Sequence, residues 1–247
     1  MDIGGTEKHI RHILPALKRK GLNVSLFVIH PGGALLDPLR KDNVEVLHRK
    51  PGKKGIIGIV RAGLNLISVL RNRKPSVVHF FLPEAYLLGE ICSLFFDTKK
   101  LMSRRSLNYY QKNRWYARPI ETRLHRTLEM SFANSDSIRQ QLIEEGLPSS
   151  KVTVLRNGVR TIQQADSSFV DVTRKALGAS KDDLVCVMVA NFIPYKGHLD
   201  VVRAFSKINN SVNRAWHLLL IGRSGASYEQ QIKEEITINN VEKKVTI

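Results

Sequence analysis

The 247-residue sequence predicts an α/β protein of two domains, each a parallel sheet flanked by helices. Three observations predict it. Short β-branched runs alternate with longer amphipathic ones along nearly the whole chain, the pattern of parallel strands joined by crossover helices. The alternation lapses once, over 160–169, where Gln, Asp and Ser take over, and then restarts; this reads as a linker between a domain over 1–160 and another over 161–247. A composition of 43% hydrophobic and 25% charged residues is that of an ordinary folded chain, and excludes collagenous, mucin-like and disordered classes.

Ile10, Ile13, Leu14 and Leu17 recur at helical spacing, and Gly21 ends that helix. A buried strand over 24–29 follows, closed by Pro31, Gly32 and Gly33. A second strand over 44–47 leads through a basic turn at 49–55 into a helix with Val60, Leu64 and Ile67 on one face. Pro75 punctuates the entry to a strand over 77–81, which is followed by a helix over 83–96, a strand over 100–103 and a helix over 119–128. A short strand at 131–133 precedes a helix that Ser135 caps and Gly146 stops, and 151–155 is the next strand. In the second domain the expected order is helix 172–177, strand 184–189, helix 197–208, strand 216–221, helix 228–238 and a strand from Lys243. The first domain opens on a glycine turn with no leading strand, and the second stops short of a full doubly wound sheet. The expectation is that the first strand of one and the second half of the other are missing.

The longest apolar stretches, 85–96 (broken by Glu90) and 184–193, fall short of the roughly 20 residues of a spanning helix, so no transmembrane segment is expected. The N-terminus lacks the charged and then apolar layout of a secretory signal, which points to the cytoplasm. Cys92 and Cys186, the only cysteines, each lie in an apolar run and are expected as buried reduced thiols, excluding a disulfide framework. The outlying value is a net charge of +17. It calls for a polyanionic partner: nucleic acid, an acidic membrane face or phosphorylated small molecules.

Three stretches carry candidate chemistry. Gly4-Gly5-Thr6-Glu7 opens directly into a helix, so backbone N–H groups and a positive helix end would face an anion there; a plain tight turn is the alternative. In 189–198 an apolar strand ends in a loop with Asn191, and Lys196 stands just before a helix, where its charge could meet a phosphate leaving group or simply be solvated. Gly222 and Gly225 end the strand over 216–221, where such folds admit a nucleotide, although an ordinary strand-to-helix turn reads the same way.

These motifs in this order resemble glycosyltransferase family 4, also called the group 1 glycosyltransferases. The resemblance spans nearly the whole chain, and rests on Gly4-Gly5-Thr6-Glu7, Val77-Val78-His79, Ala133-Asn134-Ser135, the stretch 151–159, Pro194-Tyr195-Lys196-Gly197-His198 and Leu220-Ile221-Gly222. It implies the GT-B architecture of two Rossmann-like domains. It further implies transfer of a sugar from a nucleotide-diphosphate donor, usually with retained anomeric configuration and with neither an obligatory metal nor a separate cofactor. The donor would bind the second domain. Lys196 matches the family lysine at the donor diphosphate, Gly4 and Gly5 match the loop facing it across the cleft, and Gly222 matches a nucleotide-side glycine. Asn191 stands where the family often has a diphosphate-binding arginine, and the family's glutamate-containing donor motif is expected beyond Ile247.

Acceptor contacts are expected from strand ends of the first domain: His79, able to polarise or accept a proton, Glu84, and the adjacent Arg104 and Arg105, which suit an anionic acceptor. With Lys196, His79 completes the expected catalytic pair. Between Lys99 and Arg126 bases interleave with Tyr109, Tyr110, Trp115 and Tyr116, which suits peripheral attachment to an anionic membrane and a lipid-linked or cell-envelope acceptor. Two other classes stay open: a basic nucleic-acid-binding protein, unsupported by any helix-turn-helix or zinc signature, and a non-catalytic remnant of a glycosyltransferase.

Overall fold

A computed structural model describes residues 4–30, 32–48, 55–108, 117–158, 164–208, 213–223 and 226–247. The chain divides into two compact units, Met1–Val159 and Arg160–Ile247.

The first unit begins with α1 (Gly5–Arg19), which buries Ile10 and carries Lys18 and Arg19 in its last turn, where they oppose the negative helix end. β1 (Ser25–Phe27), α2 (Leu36–Lys41) and β2 (Glu45–Leu47) follow, and β1 pairs with β2 in parallel. The six-residue α2, too short to announce itself by periodicity, is held by the buried Leu36 and Leu39. Then come α3 (Ile56–Arg73), β3 (Val77–Phe81), α4 (Pro83–Ser93), β4 (Lys99–Arg104), α5 (Ala117–Leu124) with a 3-10 turn at His125–Thr127, β5 (Met130–Ala133), α6 (Asp136–Glu144) and β6 (Val152–Val154). The four later strands form one parallel sheet in the order β3-β4-β5-β6. The Ser135 hydroxyl accepts a hydrogen bond from the Ile138 N–H and caps α6, while Gly146, at φ 99°, lets the chain turn at its far end. Gly89 lets α4 lie flat on β3, since a methyl there would press into the Phe80 ring.

The Val60, Leu64 and Ile67 stripe that marks α3 in the sequence faces solvent instead of the core. Ala62, Gly63, Leu66 and Leu70 point inward. The inner side is chosen by close approach: Gly63 packs against Leu88 and Cys92 of α4, and a side chain there would meet Leu88 at 3.2 Å.

The second unit opens with α7 (Ser167–Ala176), capped by Asp166, inside the stretch expected to be a linker. β7 (Leu184–Val189), a 3-10 turn at Pro194–Lys196, α8 (His198–Ile208), β8 (Trp216–Ile221), α9 (Ala226–Ile238) and β9 (Val245–Thr246) complete it. The parallel sheet runs β7-β8-β9, with Cys186 beside Leu218 and Met188 beside Leu220. Trp216, Leu218 and Leu220 bury one face of it against Val202 of α8 and Ile232 of α9. Among the described residues no helix is long and apolar enough to cross a membrane.

Candidate functional site

In the second unit, pairing of the two strand-end loops continues beyond the strands. Ala190 N–H donates to the Ile221 carbonyl at 2.9 Å and Phe192 N–H to that of Arg223 at 2.9 Å. This crossing explains Gly222. A methyl on it would overlap the Ala190 carbonyl oxygen and sit 3.2 Å from the Asn191 Cα. Backbone packing alone therefore requires a residue without a side chain here, whether or not a nucleotide approaches it.

Asn191 stands exposed on the paired loop. The 3-10 turn then ends at Gly197, whose φ of 76° admits the start of α8. Lys196 is exposed, with its Nζ 5.1 Å from the Tyr195 ring centroid; no carboxylate pairs with it among the described residues. Behind the loop, His198 is fully buried between the rings of Phe192 and Tyr228, and neither ring nitrogen has a hydrogen-bond partner among the described residues.

In the first unit a small cleft of about 60 Å³ lies where β4 ends, lined by Thr6 from the first turn of α1, Leu82, Pro83 and Tyr86 of α4, and residues 102–106. Two helix N-termini thus reach it, those of α1 and α4, and both favour negative charge. Leu82, the N-cap of α4, holds φ at 72°, a conformation a leucine adopts only under strain. Gly4 caps α1 without a side-chain bond, and a Cβ on it would run into the carboxylate of Glu7, 3.1 Å from its Cδ. Gly5 has open space around it.

The two arginines at this cleft divide. Arg104 is 5% exposed and donates from Nη2 to Glu121 at 2.9 Å and to Glu145 at 3.1 Å. Its charge is satisfied inside the unit by two buried carboxylates, which gives it a structural tie at the cleft that it also lines. Arg105 reaches the rim, where it donates to the Asn157 side chain at 2.6 Å, and burial lowers its pKa.

Around Arg104 lies a network that sequence spacing gives no sign of. The Tyr86 hydroxyl is 2.7 Å from His125 Nδ1, and His125 Nε2 is 3.2 Å from Glu145. Burial is the largest influence on Glu145 and pushes its pKa up; hydrogen bonding to His125 and the charges of Arg104 and His125 outweigh it and hold the carboxyl below its ordinary range. Glu121, His125 and Glu145 have the atoms of a metal triad. The guanidinium of Arg104 already meets both carboxylates, so a metal ion would be set against a positive charge.

His79 lies on β3, its Nε2 2.9 Å from the Ser103 hydroxyl and its ring 4.3 Å from that of Phe81. The residue keeps open surface, yet its ring sits among Ser103, Phe81 and Phe132. Desolvation first and the charge of His9 second push its pKa down to about 4. In NMR titration the His79 ring is expected to show a midpoint near 4. Below the ordinary 6.5 the unfolded chain takes up a proton that the folded one refuses, so stability should fall from pH 6.5 towards 4 and be level above it. His79→Gln should remove that slope; an unaltered slope would show that other groups cause it.

Glu84, in the first turn of α4, pairs with His30 at 3.0 Å, both side chains being exposed. Of the basic-aromatic segment, Tyr109, Tyr110, Lys112, Arg114, Trp115 and Tyr116 lie outside the described residues. Arg118, Arg123 and Arg126 line a surface hollow with Pro119 and Thr122.

No curated protein matches the sequence. Among solved structures, HepE of Anabaena in complex with UDP and glucose superposes with a TM-score of 0.80 at 16% identity, over 98% of this chain and 65% of that one. A glycosyltransferase of Rickettsia africae gives 0.71 at 19% identity, over 100% and 66%. The lipopolysaccharide outer core galactosyltransferase WaaB, in its apo form, gives 0.64 at 14%, over 99% and 64%. These likenesses establish the fold, two Rossmann-like units of the GT-B kind, and the chain spans about two thirds of the length of each. The sequence model of Glycosyltransferase Family 4 matches residues 3–163, and that of Glycosyl transferases group 1 matches 169–247. With both units accounted for in that order, the chain belongs to glycosyltransferase family 4, the group 1 glycosyltransferases.

Proposed function

We propose that this chain serves an enzyme that moves a sugar from a nucleoside-diphosphate donor, held by the second unit, to an acceptor taken up by the first. The observation that carries the reading is Lys196: an exposed cation on a strand-end loop, just before a helix, with no carboxylate partner among the described residues. A lysine so placed stabilises charge developing on a departing diphosphate, and the exposed Asn191 offers it a neutral hydrogen-bond donor. Family membership and the fold shared with HepE, which was solved with UDP and glucose, support this reading. Gly4 and Gly5, at the N-terminal end of α1, present open N–H groups that suit an anionic group of a substrate.

On the acceptor side, Arg105 and the two helix N-termini at the first-unit cleft suit an anionic group. We infer a lipid-linked or cell-envelope glycan, consistent with the activity that WaaB's name carries, with His79 and Glu84 nearby as polar contacts and Tyr86 at the cleft wall. Because its pKa is held near 4, His79 stays neutral at physiological pH, where it can accept a hydrogen bond from an acceptor hydroxyl and orient it but is a weak base for taking its proton. Retention of anomeric configuration, independence of metal and peripheral attachment to the inner face of the cell membrane complete the reading.

Titration with UDP, GDP, ADP and dTDP tests it. One nucleotide is expected to bind, and Lys196→Ala to weaken that binding, with sugar transfer by the intact enzyme falling roughly 100-fold. Arg105→Ala should leave nucleotide binding alone and raise the KM for acceptor. Equal nucleotide affinity in the Lys196→Ala variant refutes the role given to this lysine. Salt-sensitive binding to mixed-sequence DNA without nucleotide binding favours the nucleic-acid reading instead.

A further inference from the structure

We propose that the outward face of α3, with the end of α4, is the surface by which this chain lies on an anionic lipid bilayer. The inference rests on the membrane attachment in the reading above and assigns it a place. α3 is apolar on two sides. One side packs in the core, and the other presents Ile57, Val60, Leu64 and Ile67 to solvent at exposures of 52, 55, 62 and 38%. Their spacing of three or four residues makes them one stripe along the helix. On α4, whose Cys92 packs on Gly63 of α3, Ile91 is 52% exposed, and Phe95 just past the helix end is 93% exposed. A soluble surface scatters single apolar residues; a stripe of four along one helix, with a further Phe 93% exposed past the end of the helix packed on it, marks a surface that meets something apolar.

Charge says what that is. The stretch 49–74 contains eight Lys or Arg residues and no Asp or Glu. Arg61, Arg71, Arg73 and Lys74 belong to α3 or its C-terminal cap, and all four are exposed; Arg73 pairs with Glu45 at 2.6 Å, while Arg61, Arg71 and Lys74 meet no carboxylate among the described residues. An apolar stripe accompanied by Arg61, Arg71 and Lys74, bases that no acid neutralises, is the pattern of a helix lying in the headgroup layer, with aliphatic side chains among the acyl chains and the cations on anionic phosphates. A second copy of this chain would bring the same bases against them and be repelled. Nucleic acid would meet the charges and leave the stripe in water.

Co-sedimentation with vesicles of phosphatidylcholine mixed with phosphatidylglycerol, and of phosphatidylcholine alone, tests the assignment. The chain is expected to bind the anionic vesicles only. Leu64→Glu, Phe95→Ser, and Arg61→Glu with Arg71→Glu should each lower the partition coefficient about tenfold or more, while circular dichroism, melting temperature and nucleotide binding stay unchanged. Vesicle binding that survives Leu64→Glu and Phe95→Ser overturns this surface and leaves membrane attachment standing. A parent chain that ignores anionic vesicles overturns both. Concentration-dependent dimerisation that Leu64→Glu abolishes, without effect on vesicle binding, assigns the stripe to a second copy and equally overturns the proposal.

Discussion

Gly222→Ala is expected to destabilise the second unit by about 3 kcal/mol, at the upper end of the overpacking range. The added methyl would overlap the Ala190 carbonyl oxygen and lie 2.8 Å from its carbon, and neither is the end of a flexible side chain that can swing away. One backbone has to move. The pairs from Ala190 to Ile221 and from Phe192 to Arg223 lock the two loops together, so relief must break at least one of them. In a unit of this size such a loss corresponds to a melting point lower by roughly 15 °C. The same displacement would carry off Asn191 and Lys196, so nucleotide binding should weaken without any change to a nucleotide-contacting side chain. Asn191→Ala is the control, since its side chain is exposed and its removal should leave stability within about 0.5 kcal/mol. A Gly222→Ala variant that melts with the parent would show that the loops do not cross this closely.

This glycine illustrates what the sequence can and cannot disclose. Its position at a strand end is legible, because the largely apolar run 216–221 followed by glycine is a local pattern, and β7, β8 and β3 fall where their apolar runs put them. The reason for the glycine is not legible, since it lies with Ala190, 32 residues away, through a contact no periodicity encodes. α3 differs in another way. Its sequence offers two apolar stripes, and hydrophobicity alone cannot choose between them. The choice falls to Gly63, where α4 approaches closely. The arginine pair shows the same limit at the candidate site: adjacent residues at a strand end alternate sides, so Arg104 turns inward and Arg105 outward, but which is which depends on acids from α5 and the end of α6.

The buried network around Arg104 carries the other large expected effect. Arg104→Met should cost about 3–5 kcal/mol, because it leaves Glu121 and Glu145 facing each other with side-chain exposures of 1 and 2% and no guanidinium between them. Replacing all three by Met, Leu and Leu should recover most of that loss, since the penalty comes from stranded charge rather than lost volume. The pH dependence separates this account from simple packing damage. In the parent, Glu145 is held below its ordinary 4.5, so its contribution is complete above that value and lost as pH falls through the folded pKa. In Arg104→Met, Glu145 keeps its burial and its hydrogen bond to His125 and loses the guanidinium. Its pKa should then rise towards or past its ordinary value, so the variant should lose less stability on acidification than the parent does. Parallel slopes in parent and variant would rule out the charge account. Because β4 ends at Arg104 and Arg105 follows it to the cleft rim, the variant should also impair acceptor use while nucleotide binding persists, whereas Gly222→Ala should do the reverse. The two substitutions therefore test whether the first unit serves the acceptor and the second the donor, each by breaking a contact that holds the site's backbone in place.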